Sequence, residues 1–314
     1  MLETELDKVI NGRIYSSTET VLYTLELLGR ILKENRDPTL FVNSLERILK
    51  ARPTASMLQN AVRLLTNNLA VTEVSTLDDF IASYENTRQA IVKKIFSDIE
   101  ESSTIASRRL ANNDTVMTNS YSLFVKRTIE KAVEEGKKIK VYVTESRPTG
   151  EGVKFAAELS DKGIETYLIV DSAVRFFMKE VDKVLLSSEA ISANGAVVNK
   201  IGTSLIALAA HERSVDFFVA TETFKFSPYT LIGDIVPIEF RPPIEIVGVD
   251  FLKSHPNLRI LNPAFDVTPP DYITGIITEL GIIPPKAAAI IIEEMYGRPV
   301  ISSEILGRVE EDIS

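Results

Sequence analysis

The chain has 314 residues, of which 45% are hydrophobic and 25% are charged, as expected for a globular protein with one large or two medium domains. The net charge is -9 and nearly all of it lies after residue 110, which argues against direct binding of nucleic acid there. The absence of cysteine excludes disulfides, thiolate metal sites and cysteine nucleophiles. No apolar run approaches the ~20 residues needed to cross a bilayer, and no N-terminal signal pattern is present, so we expect a cytoplasmic protein without membrane contact.

A helical N-terminal domain is predicted over residues 1–112. Apolar side chains recur every three or four positions in residues 18–33 and 77–110, which is the spacing of one face of an amphipathic helix. The prolines of Asp37-Pro38 and Arg52-Pro53 interrupt the pattern, and a further helix follows each of them. We expect the apolar faces to pack together in a core.

An α/β domain with a doubly wound parallel sheet is predicted over residues 113–314, because short apolar strands alternate there with segments of helix length. Helix starts are expected at Thr118-Asn119 and at Thr268, which precedes two prolines. The ligands of such a sheet usually lie beyond the carboxyl ends of its strands. The predicted strands are 140–144, 164–170, 184–186, 217–220 and 245–247.

The segment 187–203 contains groups that could hold and process an anion. Glu189 follows the predicted strand 184–186, and Asn199-Lys200 is predicted to lie in the first turn of the next helix. The free N–H groups and the dipole of a helix N-terminus favour an anion, so this corner could hold a phosphate. In the alternative interpretation Asn194-Gly195 is only a turn and Lys200 is a solvated surface charge.

The loop 145–152 is a second candidate anion site. Its two glycines let the backbone approach a ligand, and the Arg147 guanidinium could bind a phosphate through two parallel hydrogen bonds. It is not a Walker loop, because no Gly-Lys-Ser/Thr sequence follows. The alternative is an ordinary charged loop with a surface Arg–Glu pair.

Ser120 and Glu189 are the candidate groups for proton transfer. Ser120 stands near the start of a predicted helix, where it could contact a substrate or cap the helix. Glu189 is expected to be buried at a strand end, where a raised pKa would let it act as an acid or a base. Alternatively, it could simply pair with Lys200 or Arg147.

A series of motifs extends over nearly the whole chain: Arg52-Pro53-Thr54, Thr144-Glu145-Ser146-Arg147-Pro148 with Glu151-Gly152, Asp171-Ser172-Ala173, Asn194-Gly195 with Asn199-Lys200-Ile201-Gly202-Thr203, Glu222-Thr223-Phe224-Lys225-Phe226, and Asn262-Pro263-Ala264-Phe265-Asp266-Val267-Thr268-Pro269-Pro270. With these motifs the chain resembles the group that unites ribose-1,5-bisphosphate isomerase, methylthioribose-1-phosphate isomerase and the alpha, beta and delta regulatory subunits of translation initiation factor 2B. It is most similar to the archaeal-type ribose-1,5-bisphosphate isomerase branch and its initiation-factor-like relatives.

The resemblance implies a helical N-terminal domain, a Rossmann-like C-terminal domain, and dimers or higher assemblies built through the latter. In the isomerases of this group the sugar phosphate lies between the two domains. The side chains that would hold it here are Arg52, Arg147, Asn199 and Lys200, and all four are present. The resemblance therefore implies a retained phosphate pocket.

The resemblance also implies that the catalytic groups are substituted. Those isomerases shuttle a proton between neighbouring carbons with a Cys and an Asp, and Ser120 and Glu189 stand at these positions here. A serine hydroxyl is far less acidic than a thiol, and the extra methylene of Glu displaces its carboxyl group. The Arg-Gly-Ala-like phosphate loop of the group is missing as well, and the nearest segment is Tyr15-Ser16-Ser17-Thr18.

These departures lead us to expect a regulatory or binding protein similar to initiation factor 2B subunits, without catalysis but with a pocket for a sugar phosphate or nucleotide. The alternative is a working aldose–ketose isomerase of the ribose-1,5-bisphosphate type, with Glu189 as the base and Ser120 or a water completing the transfer. A purely structural subunit is a third reading. The expected partners are further copies of the chain, initiation factor subunits and a phosphorylated small molecule; no metal or cofactor is expected.

Overall fold

The first third of the chain forms helices where the apolar periodicity indicates them. The structure is a computed structural model that describes residues 2–14, 16–72 and 75–297. A short π-helical stretch, Ile31–Asn35, extends the second helix. The helices of this part are α1 (Leu2–Ile10), α2 (Ser17–Arg30), α3 (Pro38–Ala51), α4 (Ser56–Ala70) and α5 (Leu77–Ser107).

Side-chain caps fix the starts of three of these helices. Ser16 caps α2 by accepting the N–H of Glu19 at 3.0 Å. Asp37 caps α3, with Pro38 in the first helical position, and Thr76 caps α5. The N-terminal end of α2 borders the cavity that forms the candidate site.

The rest of the described chain alternates strands and helices, as predicted. The helices are α6 (Leu123–Glu134), α7 (Glu151–Asp161), α8 (Val174–Phe177), α9 (Thr203–Arg213), α10 (Val249–Ser254) and α11 (Ala288–Tyr296). The strands are β1 (Thr115–Thr118), β2 (Lys140–Thr144), β3 (Glu165–Ile169), β4 (Lys183–Leu186), β5 (Ala190–Ile191), β6 (Val197–Lys200), β7 (Asp216–Ala220), β8 (Phe265–Thr268), β9 (Gly275–Thr278) and β10 (Gly281–Ile283).

Seven of these strands form the central sheet, in the order β10-β9-β7-β4-β1-β2-β3. All neighbours are parallel except β10, which forms an antiparallel hairpin with β9. A second, antiparallel sheet has the order β5-β6-β8. The α/β fold class with a helical N-terminal region is therefore confirmed.

The two faces of the central sheet carry different cores. Val141 and Leu185 belong to a buried cluster that continues into α1 to α5, so the N-terminal helices cover one face of the sheet. Leu186 and Val219 point the other way and pack with Ile206 of α9. This alternation follows from the two-residue period of a strand.

The change from helices to strands falls between Ser107 and Thr115, which includes the predicted boundary at 112/113. Because one apolar cluster spans the helices and the sheet face, the division into two domains stays a prediction. Residues 298–314 of the predicted second domain lie outside the described residues.

The prediction that Asn199-Lys200 lies in a helical turn is wrong. Both residues belong to β6 and pair antiparallel with Asp266 and Phe265 of β8, whereas α9 begins only at Thr203. The partner strand comes much later in the chain, and pairing of this kind leaves little local signal in the sequence.

Two further predictions in the last third of the chain are also wrong. Residues 245–247 do not form a strand; a 3₁₀ turn, Pro243–Glu245, lies there, and two successive prolines cannot donate to a strand ladder. Thr268 does not cap a helix either, because it ends β8. The apolar residues after it, which fit a helical spacing, lead into the buried strand β9.

The start of α6 differs from the prediction by a few residues. Thr118 ends β1, and the cap of α6 is Ser122, which accepts the N–H of Val125 at 3.3 Å. Ser120 lies between them with a left-handed backbone, φ 61°, and does not cap the helix. Its hydroxyl donates to Glu151 at 3.3 Å instead.

Candidate functional site

A polar cavity lies where the helical part of the chain meets the carboxyl ends of the central strands. Its walls come from the loops after β1, β2, β4 and β7, from β6 and from the N-terminal end of α2. This is the edge of a doubly wound sheet at which ligands usually bind. The location agrees with the loops that the sequence analysis selected.

Among the described residues, four cationic side chains line the cavity, and the first is Arg52. Its side chain is only 10% exposed, and its Nε lies 3.4 Å from Oε2 of Glu239. Its Nη1 donates to the Val9 carbonyl at 3.3 Å. Arg52 is thus fixed against the helical part of the chain while its guanidinium borders the cavity.

Lys200 is the second cation. Its Nζ lies 2.5 Å from Oε1 of Glu151 and donates to Thr149 Oγ1 at 3.2 Å. Asn199 precedes it and donates from Nδ2 to Thr203 Oγ1 at 3.0 Å. Lys200 is not a solvated surface charge, because its side chain is only 11% exposed.

Sequence reasoning missed the other two cations, Lys225 and Arg241. Lys225 is buried, donates to Ser187 Oγ at 3.1 Å, and lies 3.3 Å from Oε2 of Glu222. Its position after the carboxyl end of β7 could have indicated a site residue, because ligands usually lie at such strand ends. Arg241 lies in an irregular segment and reaches the Asn11 carbonyl at 3.2 Å, a contact that no local pattern indicates.

Glu189 borders the same cavity and is buried. Its Oε2 accepts a hydrogen bond from Ser17 Oγ at 2.9 Å, and its Oε1 accepts none from the described residues. Burial raises the pKa of the Glu189 carboxyl group, while Arg52 and Lys225 act in the opposite direction. Glu189 does not pair with Lys200, whose ammonium group binds Glu151 instead.

Ser120 borders the same cavity and is linked to Lys200 through Glu151. Its Oγ donates to Oε1 of Glu151 at 3.3 Å, the atom that also binds Lys200. Its backbone N–H donates to Ser146 Oγ at 2.7 Å. The Ser120 hydroxyl therefore has a carboxylate acceptor in reach.

Arg147 is placed differently from the other predicted phosphate ligands. Its side chain is exposed and is not part of the cavity lining, although Thr149 two residues later is. Its backbone N–H donates to Oδ2 of Asp171 at 2.7 Å, which ties the loop after β2 to the one after β3. The structure thus brings together Arg52, Asn199, Lys200, Ser120 and Glu189, and leaves Arg147 outside.

Residues 14–285 match the sequence profile of the Initiation factor 2 subunit family. The chain belongs to this family. It is 43% identical over 266 residues to ribose 1,5-bisphosphate isomerase from Archaeoglobus fulgidus, covering 82% of this chain and 81% of that protein. The crystal structure of translation initiation factor eIF-2B from Pyrococcus horikoshii OT3 matches with a TM-score of 0.77 and 30% identity over 90% of this chain and 97% of that chain.

The fold of the family is shared with larger assemblies. The tetrameric eIF2B-beta2-delta2 complex from C. thermophilum matches with a TM-score of 0.72 and 21% identity, over 88% of this chain and 90% of that chain. The resemblance inferred from the motifs is confirmed by the family match. In the part of the chain that the structure describes, no helix is both long and apolar enough to cross a membrane.

Proposed function

We propose that this protein binds a phosphorylated sugar in the cavity and isomerises it from aldose to ketose, with ribose 1,5-bisphosphate as the substrate. The observation that carries the proposal is Glu189, a buried carboxyl group with one unpartnered oxygen at a cation-lined cavity. Relatives at 41–43% identity named ribose 1,5-bisphosphate isomerase support the choice of substrate. Isomerisation is the alternative that the sequence left beside regulatory binding, and the comparisons favour it.

The phosphate groups would be held by the cationic lining. Arg52, Asn199 and Lys200 supply hydrogen-bond donors that are already fixed by their neighbours, so little side-chain entropy is lost on binding. Lys225 adds a further positive charge, and we propose that Arg147 reaches a phosphate from the rim.

The reaction needs no external oxidant or cofactor. In the sugar, C2 is oxidised from an alcohol to a ketone and C1 is reduced from the aldehyde level to an alcohol carrying the phosphate. One proton leaves C2 and returns to C1, the bond between C1 and the ring oxygen breaks, and the proton of the 2-hydroxyl moves to the ring oxygen. Every atom of the substrate therefore remains in the product.

We propose that Glu189 takes the proton from C2 of the sugar and returns it to C1. Burial raises its pKa, which makes its carboxylate a stronger base and brings its titration closer to the working pH. Ser120, or a water molecule, would carry the hydroxyl proton to the ring oxygen, with Glu151 as the acceptor beside it. A carboxylate and a weakly acidic hydroxyl are sufficient for these two steps in principle, although the thiol that the resemblance implies would be a better acid.

A second candidate function is regulatory binding without turnover, as in initiation factor 2B subunits. The observation that favours it is Ser120, whose hydroxyl is far less acidic than a thiol. In this case the cavity would hold a sugar phosphate or nucleotide as a signal. The name of the Pyrococcus horikoshii protein of similar fold supports it.

Self-association in the cytoplasm is part of both proposals. The described surface carries large apolar side chains that are more than half exposed, including Leu205, Ile232, Ile235, Phe240 and Leu261. Such a surface favours a dimer or higher oligomer, and other initiation factor subunits are the further candidate partners. The family name, which refers to subunits, supports this proposal.

One experiment separates the two functions. The purified protein is incubated with ribose 1,5-bisphosphate, and both the heat of binding and the formation of ribulose 1,5-bisphosphate are measured. Isomerisation predicts product with wild type, a rate reduced at least about a hundredfold in Glu189→Gln, and full activity in the surface control Glu212→Gln. Binding without product supports the regulatory function, and the absence of both contradicts the two proposals together.

A further inference from the structure

Ser17 contacts Glu189 at the border of the cavity. Its Oγ donates to Glu189 Oε2 at 2.9 Å, although the two residues are 172 positions apart in sequence. Ser17 is the first residue of α2, and Glu189 follows β4, so the contact joins the helical part of the chain to the central sheet. Ser16, the residue before Ser17, caps the start of α2 by accepting the N–H of Glu19.

The two carboxyl oxygens of Glu189 are consequently different. Oε2 is held by Ser17, whereas Oε1 is buried and has no hydrogen-bond partner among the described residues. Buried polar atoms usually have a partner, and one without it in a cavity is available to a ligand. A proton-transfer group works best when its orientation is fixed by such a neighbour.

We propose that Ser17 is the positioning residue of Glu189, holding one carboxyl oxygen so that the other exchanges the proton with the sugar. The proposal rests on the proposed isomerase function. The segment Tyr15-Ser16-Ser17-Thr18 would then bind the Glu189 carboxyl group through the Ser17 hydroxyl, and not a phosphate. Tyr15 itself lies outside the described residues.

Among the described residues, the charged groups that act on Glu189 are Arg52, Lys225 and Glu239. The two cations favour the carboxylate, while Glu239 and burial oppose it. The hydrogen bond from Ser17 also favours the carboxylate, since a hydroxyl donates more strongly to a charged acceptor. Removal of this hydroxyl should therefore raise the pKa of Glu189 further.

The test is an infrared titration of the Glu189 carboxyl group in the full-length protein, identified by difference from Glu189→Gln at each pH. We expect the pKa of Glu189 to rise in Ser17→Ala and to return to the wild-type position in Ser17→Thr, which restores the hydroxyl. Ser16→Ala is the matched control. It removes the neighbouring hydroxyl and weakens the start of α2, but it leaves the bond to Glu189 in place.

Kinetics supply the second readout. With ribose 1,5-bisphosphate as substrate, Ser17→Ala should lower kcat by about tenfold to a hundredfold, with KM nearly unchanged, because the carboxyl group is misplaced and not the phosphates. The acid limb of its pH–rate profile should move to higher pH, because a Glu189 carboxyl group with a higher pKa loses its proton at a higher pH. A purely structural role of Ser17 would lower the amount of folded protein without moving that limb.

The outcomes distinguish this inference from the proposed function. An identical Glu189 pKa in wild type and Ser17→Ala overturns the positioning role, even if the wild type is an active isomerase. A wild type without isomerase activity overturns the proposed function, and the positioning role for catalysis with it, whereas the titration still reports whether Ser17 holds the carboxyl group. If Ser17→Ala fails to fold, Ser17→Cys keeps the volume, donates a weaker hydrogen bond, and must show the same direction of change.

Discussion

The Glu189 carboxyl group is buried, has two neighbouring cations, and accepts one hydrogen bond from the described residues, which comes from Ser17. Its burial could be predicted, because Glu189 follows closely after a buried apolar strand. Its partner could not, since a contact between residues 17 and 189 leaves no trace in local periodicity. The same holds for Arg241, which reaches the cavity region from an irregular segment.

Glu189 should make the stability of the protein depend on pH. Because burial raises its pKa in the folded protein above that of the unfolded chain, folding takes up a proton. The stabilisation is complete below the ordinary glutamate pKa and is lost as the pH rises through the raised value. Glu189→Gln should therefore have a higher free energy of unfolding than wild type at alkaline pH, with little difference near pH 4.

Urea denaturation at a series of pH values measures this dependence. The control is Glu212→Gln, an exposed residue whose pKa is lowered by its pair with Arg175. Equal stability differences between wild type and Glu189→Gln at acid and alkaline pH would contradict the assignment of a raised pKa. Loss of activity together with this gain in stability would identify Glu189 as a functional residue that the fold alone does not need.

The pair between Lys200 and Glu151 should contribute strongly to stability, because the two side chains are only 11% and 6% exposed. Lys200→Met leaves the Glu151 carboxylate buried without its cation and should destabilise the protein by about 3 kcal/mol. Adding Glu151→Gln should recover much of the loss. The exposed pair of Lys50 and Glu46 is the control.

Thermal and chemical unfolding of these variants measures how much the pair of Lys200 and Glu151 contributes to stability. Lys50→Met should change the free energy of unfolding by less than about 0.5 kcal/mol. If Lys200→Met is equally mild, Lys200 is solvated rather than paired in solution, and its role in the proposed phosphate site would need another explanation.

At the level of elements, the prediction succeeded where a strand or helix is recognisable by itself. β2, β3, β4 and β7 are short apolar runs between segments of helix length, and each lies where the sequence indicates it. β6 and β8 were missed because each is stabilised mainly by the other, through pairs such as Val198 with Val267. This error mattered, since β6 carries Asn199 and Lys200 on a strand and not at a helix start.

Gly152 holds α7 against β2 and should not tolerate a side chain. A Cβ at this position would lie 1.8 Å from the carbonyl oxygen of Thr144, which is backbone and cannot move aside without distorting the strand. Gly152→Ala should destabilise the protein by about 3 kcal/mol or more. It should also weaken the binding of sugar phosphate, because the neighbouring Glu151 and Thr149 border the cavity.

Gly248 is the matched control for this substitution. An added Cβ meets nothing within 4 Å there, and its φ of -68° suits any residue. Gly248→Ala should change the free energy of unfolding by less than about 1 kcal/mol. Equal effects of the two substitutions, measured by urea denaturation, would show that the contact between α7 and β2 is looser than the structure indicates.

For the molecule as a whole, the sequence predicts a helical N-terminal part and a doubly wound sheet, and the structure has both. It also has a cavity at the strand ends, where the sequence predicts a ligand site. The resemblance implies self-association, but the sequence does not indicate which side chains form the contact. Large apolar side chains such as Ile235, which is 86% exposed, and Leu261, which is 77% exposed, are expected to be covered by another subunit.

Sedimentation velocity tests this expectation. The chain has a mass of 34.9 kDa, and we expect the purified protein to sediment as a dimer or a higher oligomer. Ile235→Asp combined with Leu261→Asp should shift the population toward monomers if these residues lie in the contact. A wild type that remains monomeric across the concentration range would contradict self-association.

The central claim is that the cavity between the helices and the sheet binds a phosphorylated sugar beside Glu189. The most direct measurement is ³¹P nuclear magnetic resonance of ribose 1,5-bisphosphate in the presence of the wild-type protein. The account predicts that both phosphate resonances change on addition of protein, and that they are replaced over time by those of ribulose 1,5-bisphosphate. Resonances that remain unchanged at saturating protein would contradict it.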